Sequence, residues 1–317
     1  MPDGGEDRTL LTCFADGYVM RVILQKKPFL VSSHPALDIL YTSADIIESL
    51  SLSENFSFTL SGSGNGVLRN TLTGTTSEIH INEKSWSSYI SASDSPYVAL
   101  GTSSTTPLAI YPIQESALSP NPSTFLSSIR TQDSRGPSAR ESSAVYGITG
   151  PPPSFPGHPG QIVVSGWFDG RAAATRPPAL APILTLSDPW ATESIYSVAV
   201  GGGTGHTVAA GTARHSVVAF WDVRKPRDGW SVHAPGNDAS PVYALALESA
   251  RIFGATQSRA FVCDFSGGIG AETYPPLGSP ASSAPRGSRR VDDSLRTVDG
   301  VHYQVTQYLH KNPMAVN

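Results

Sequence analysis

The chain has 317 residues, 39% of them hydrophobic, with a formal net charge of -4 and an isoelectric point near 6.0. That is enough apolar material for a large core, in one long domain or two small ones, and the charge offers no bulk attraction to nucleic acid or an anionic membrane. Two cysteines, Cys13 and Cys263, are too few for a disulfide framework or a thiolate metal centre. No apolar run approaches the roughly 18 residues of a membrane helix, and the polar start "MPDGGEDRTLL" does not read as a signal peptide. The expectation is a cytoplasmic or nuclear chain with no metal, no cofactor, no nucleic acid and no membrane among its partners.

Strand signals dominate from the beginning: short runs of Val, Ile, Leu, Tyr and Phe are bounded by Gly, Pro, Asn, Asp and Ser, and helical periodicity is hard to find. "LTCFADGYVMRVIL" predicts a hairpin about Asp16-Gly17, although it reads as a second and third strand with no first strand before them. "IIESLSLS", "FSFTLSGSGNGVLRNTL" and "SEIHIN" then predict four strands with a tight turn at Asn65-Gly66. "WSSYISAS", "PYVALGTS" and "PLAIYPIQ" predict three more, with a turn near Ser103-Ser104. Residues 115–143, rich in Ser, Pro, Gly and Arg, are expected to be a disordered insertion.

Beyond it, "IVVSGWFDGRAAA" predicts a hairpin about Asp169-Gly170. The following "AAATRPPALAPILTL", with three prolines and an alanine run, reads as a poor central strand and predicts a shortened or damaged unit. "TESIYSVAVGGG", "HTVAAGTA", "SVVAFWDVR" and "GWSVHAPG" predict four strands turning at Arg214-His215. "SPVYALALES", "RIFGATQ" and "AFVCDFS" predict three, turning at Gln257-Ser258, and residues 278–294 are expected to be a second disordered loop.

Aligned on these turns, the units recur mostly every roughly 40 to 50 residues, the period of a four-stranded propeller blade, with one longer gap explained by the insertion, and Trp221-Asp222 falls at the end of a third strand. The pattern resembles a WD-repeat β-propeller of about six or seven four-stranded blades, some incomplete, spanning residues 1–317. Residues 160–277, above all "AAGTARHSVVAFWDVRKPRDGWSVHAPGNDASPVYALALESARIFGATQS", also resemble the propeller of F-box/WD-repeat proteins. That resemblance implies a non-catalytic interaction platform that recognises substrates for a cullin-type ubiquitin ligase, with the ligase adaptor as a partner. No segment with the helical pattern of an F-box is expected. The resemblance also implies a hydrogen-bonded tetrad within a blade; Trp221 and Thr212 match two of its members, whereas Arg214 stands where the turn Asp would be. The structural repeat positions are thus Asp16, Asn65, Asp169, Trp221 and Asp222.

No sequence constellation points to chemistry. "GSGNG" and "GGGTG" lack the helix and the Lys-Ser/Thr ending of phosphate-binding loops, and neither HExxH nor Cys-x-x-Cys occurs. Two alternatives stay open: a general scaffold without a ligase link, and a WD-type hydrolase whose triad is assembled across blades. For binding, the turns between second and third strands share one face of a propeller, and Arg171, Arg214 and Arg259 lie at or beside three consecutive ones. With His215 and Trp167 they predict a site for an acidic or phosphorylated peptide, because guanidinium groups grip carboxylate and phosphate in a bidentate manner.

Overall fold

Alternation of apolar and small polar residues over runs too short for helices is realised throughout: every regular element described is a β-strand. The computed structural model describes residues 8–14, 16–24, 36–91, 93–127, 143–151, 160–177, 180–188, 193–234, 239–257, 259–266, 294–298 and 301–307. The strands fall into two compact units divided after residue 142.

In the first unit β1 (Arg8–Cys13), β2 (Tyr18–Leu24) and β3 (Ala36–Thr42) form an antiparallel sheet. β4 (Ile47–Leu52), β5 (Phe56–Ser61), β6 (Asn65–Asn70) and β7 (Thr76–His80) form a second, paired in chain order. β8 (Ser85–Ile90), β9 (Tyr97–Ser104) and β10 (Leu108–Gln114) follow, and β10 also carries the short strands β11 (Ala117–Leu118) and β12 (Thr124–Leu126). Phe58, Leu60, Leu68, Ile90, Val98 and Leu100 make the core between these last two groups. The first part of the expected insertion at 115–143 therefore forms strands: Leu118 joins this core, and two short pairings with β10 form, with Phe125 exposed. Residues 128–142 lie outside the described residues.

In the second unit β13 (Ser143–Thr149), β14 (Val163–Trp167), β15 (Arg171–Arg176) and β16 (Ala181–Ser187) form one antiparallel group; β17 (Ile195–Gly201), β18 (Thr207–Thr212), β19 (Val217–Asp222) and β20 (Trp230–His233) form the next. β21 (Val242–Glu248), β22 (Arg251–Thr256) and β23 (Ala260–Asp264) form the last, to which β25 (Val301–Gln307) adds in parallel and β24 (Ser294–Val298) pairs antiparallel with β25. Apart from Ser294, the first residue of β24, the loop expected at 278–294 lies outside the described residues. Among the described residues no sheet closes on itself.

The middle group is buried on both faces. Along β18 and β19, Val208, Ala210, Ala219 and Trp221 face a core shared with β14 to β16, while Ala209, Val218 and Phe220 face one shared with β21 to β23. This is the period of two expected of strands, and burial on both faces explains why the sequence there is a continuous apolar run. It also corrects the expectation of a damaged unit after Gly170. β15 is an intact central strand, its Ala172, Ala173 and Ala174 all buried, and Ala172 and Ala174 share a core with Trp221. Small side chains on one strand make room for the indole of the next group. Pro177 falls in the connection, and Pro182 lies on the outer strand β16 where the register shifts, so neither interrupts the ladder.

Candidate functional site

Two local devices recur and place the site. The first is at the end of third strands. Asn70, Asp222 and Asp264 close β6, β19 and β23, and each side-chain oxygen accepts the backbone N–H two residues on, from Leu72 at 2.9 Å, Arg224 at 2.9 Å and Ser266 at 2.8 Å. The Asp of Trp-Asp is thus a turn former, a role carboxylates and amides share. Asp222 also accepts from the Arg224 guanidinium, which holds its carboxyl well below the usual carboxylate range. Asp264 is wholly buried and paired with Arg251 at 2.8 Å.

The second device is a β-bulge near the start of the first strand in each group after β1–β3. The register skips Glu48 in β4, Trp86 in β8, Tyr146 in β13, Tyr196 in β17 and Tyr243 in β21. An unpaired bulge residue is re-aimed out of the pleat. A small residue follows each time, Ser49, Ser87, Gly147, Ser197 and Ala244. The small residues let first strands of neighbouring groups approach closely: a Cβ on Gly147 would lie 3.0 Å from Ser197 Cα, and Ser197 Oγ donates to the Val242 carbonyl at 2.7 Å.

In the second unit the bulges bring the tyrosines into one row. The rings of Tyr146 and Tyr196 stack at 4.7 Å, Tyr243 meets Tyr196 edge-on at 5.9 Å, and Phe168 meets Tyr146 edge-on at 6.3 Å. Both ends of the row are open, with Phe168 56% and Tyr243 51% exposed. Burial, and then the neighbouring Tyr196, push the Tyr146 hydroxyl above its ordinary value.

The row runs along the edge that carries the second-to-third turns. Phe168 N–H donates to Ala144 O at 2.9 Å and Ala213 N–H to Ser194 O at 2.8 Å, which ties each turn to the start of its own first strand. Ser194 Oγ donates to Phe168 O at 2.7 Å, and Ser216 Oγ to Ser240 O at 3.1 Å, which ties each turn to the lead-in of the following group. Gln257 N–H donates to Ser240 Oγ at 3.2 Å, so two turns, the start of a third and three bulges form one continuous rim.

The predicted binding residues sort unequally on this rim. Arg171 opens β15 with Nε 3.9 Å from the Asp169 carboxylate, whose pKa burial raises in opposition to that guanidinium. Arg259 follows the β22–β23 turn and is partly buried. Arg214 is exposed and makes no ion pair among the described residues. His215 lies beside it, exposed, with Nε2 3.4 Å from Glu193. His215 and Ser216 both take positive φ, 60° and 49°, a pair of positions such a turn usually gives to Asn-Gly. Trp167 requires a correction: it is 2% exposed, its indole N–H donates to Ser165 Oγ at 2.9 Å, and strand alternation puts its neighbour Phe168 on the surface instead.

The repeat positions are also placed. Asp16 lies in the β1–β2 turn, where Gly17 takes a φ of 86°. Asn65 and Gly66 are not the expected turn but the first residues of β6; Gly64, at φ 94°, turns the chain one step earlier. Likewise Ser103 and Ser104 end β9, and the turn follows at residues 105–107. Trp221 is 1% exposed and faces Val208 across the hairpin, four residues along β18 from Thr212, whose hydroxyl donates to Arg214 O at 2.7 Å. The expected contact between Trp221 and Thr212 is therefore not made. Among the described residues no group of three His, Cys, Asp or Glu side chains could hold a metal ion, and no helix is long and apolar enough to cross a membrane.

Sequence reasoning missed Tyr146, Tyr196, Tyr243 and Phe168. The signal was present: "VYG", "IYS" and "VYA" recur about fifty residues apart, each an apolar residue, a tyrosine and a small residue. No protein-family model and no curated protein matches the chain.

Proposed function

We propose that the chain is a WD-type β-propeller of about six or seven blades acting as a non-catalytic interaction platform, and that the rim of its second unit binds an acidic or phosphorylated peptide. The observation that carries this reading is the continuous rim of hydrogen-bonded turns presenting Arg214 with no ion pair among the described residues, flanked by His215 and an aromatic row exposed at both ends. A guanidinium left open to water on a held backbone is available for bidentate capture at little ordering cost. Arg171, beside the Asp169 carboxylate, and Arg259 lie on the same edge. The first-strand bulges, the turn-forming Asp and the recurrence of strand groups along the chain support the propeller reading.

The cellular role we favour is substrate recognition for a cullin-type ubiquitin ligase, on the resemblance of residues 160–277 to F-box/WD-repeat propellers. Two measurements test the two levels. An acidic decapeptide titrated into the full chain at low salt should bind, and Arg214→Ala should weaken it by about tenfold, the value of one charge-assisted contact. Equal affinity for the variant would remove the rim from the account. For the role, affinity purification of the intact chain should recover an F-box-binding adaptor and a cullin; stable partners without a cullin would leave a scaffold.

A further inference from the structure

Beyond the arginine, the rim holds a feature that an acidic ligand alone does not use. Phe168, Tyr146, Tyr196 and Tyr243 form an alternation of edge-on and stacked rings that crosses three successive groups of strands and stops with an exposed ring at each end. Apolar side chains on strands of this unit are otherwise mostly directed into its cores. Three bulges, each followed by a small residue, turn these tyrosines outward. The hydroxyls of Tyr196 and Tyr243 make no hydrogen bond among the described residues, so each can donate to or accept from a ligand backbone.

We infer that the open end of this row at Tyr243 takes an aromatic side chain of the bound segment, so that the ligand is an acidic segment carrying a Phe, Tyr or Trp. Charge complementarity fixes the acidic part: Arg214 and His215 lie on the same rim, in the turn tied to the lead-in of the strand that carries Tyr243. Ring geometry fixes the aromatic part. An edge-on or offset ring gains over an aliphatic side chain of equal area through the quadrupoles of the two rings, and an exposed ring at the end of an existing row is preset for one more member. Rigid aromatic anchors beside a charged residue are also the usual composition of interface hot spots. This inference rests on the peptide-binding reading of the same rim.

The test is a double-mutant cycle with the full chain and fluorescein-labelled decapeptides that carry four aspartates around one central Phe, Leu or Ala. The Phe peptide should bind about threefold to tenfold more tightly than the Leu peptide, which is the fold-change of the aromatic pair contribution. Tyr243→Leu should erase that difference while still binding the Leu peptide saturably, a pattern that a general loss of folding would not produce. Tyr243→Phe should retain the difference. If the three peptides bind equally to the native chain and Arg214→Ala weakens all of them, the rim binds acidic segments and the aromatic inference is wrong. If none binds, the peptide-binding reading itself falls.

Discussion

Trp221 and Asp264 show how single residues anchor this fold through opposite means. Trp221 is buried against Ala172, Ala174 and Leu186 of the preceding group, and its indole fills space those small side chains leave. Trp221→Ala should cost about 3 to 5 kcal/mol in denaturant unfolding, the range for deleting a large core aromatic. A loss under about 1 kcal/mol would contradict the packing. Asp264 instead holds a charge away from water, against Arg251 and the N–H and hydroxyl of Ser266. Asp264→Ala should cost about 3 kcal/mol, the lower part of the range for breaking a buried pair, because Arg251 keeps contact with solvent. Asp222, in the same turn position but open to water, should be far more tolerant of the same change. Urea denaturation of the two alanine variants side by side separates these cases.

At the scale of the element, the bulged first strand is the unit that repeats. It needs a small residue after the bulge and glycine where a neighbouring strand crosses. Gly211 in β18 is such a place: a Cβ there would lie 2.5 Å from Ser197 Oγ and 2.6 Å from Val242 Cβ. Gly211→Ala should therefore destabilise by about 1 to 3 kcal/mol through overpacking, where an open glycine such as Gly203 should accept alanine without loss. Comparison of the two melting temperatures checks this. The strands themselves were legible in the sequence, because Asp16-Gly17, Asp169-Gly170 and the alternating runs carry the signals of hairpins. The third strand "RAAATR" was not, since its alanines have weak strand preference and become a strand only by burial between β14 and β16. The Asn65-Gly66 turn was misplaced for a related reason: "SGSGNG" offers two glycines able to take positive φ, and backbone hydrogen bonding from Gly64 N–H to Ser61 O selects the earlier. Of the site, the turn arginines and His215 were legible from loop position alone. The tyrosine row was not, because a bulge reverses the side on which a strand residue points, and counting by two assigns Tyr196 the wrong neighbours.

For the molecule as a whole, many tyrosines share one electrostatic consequence. Burial raises the pKa of Tyr41, Tyr89, Tyr97, Tyr111 and Tyr146 above the ordinary value near 10. The unfolded chain releases these protons near pH 10, while the folded chain keeps them to higher pH. Their contribution to stability is thus intact below about pH 10 and is lost as the pH rises toward the folded values. Thermal melts at intervals from pH 8 to pH 12 should show a flat region followed by a steep alkaline fall. A constant melting temperature across that range would mean that these hydroxyls are not shielded in solution.

Whether the rim of held turns reads an acidic segment is decided by binding of the aspartate decapeptide with a central Phe. Fluorescence anisotropy at low salt with the native chain and Arg214→Ala, both checked for an unchanged melting temperature, gives the answer in one experiment. Saturable binding to the native chain and about tenfold weaker binding to the variant are expected. Saturable binding of equal strength to both, or no binding to either, would contradict recognition by the rim.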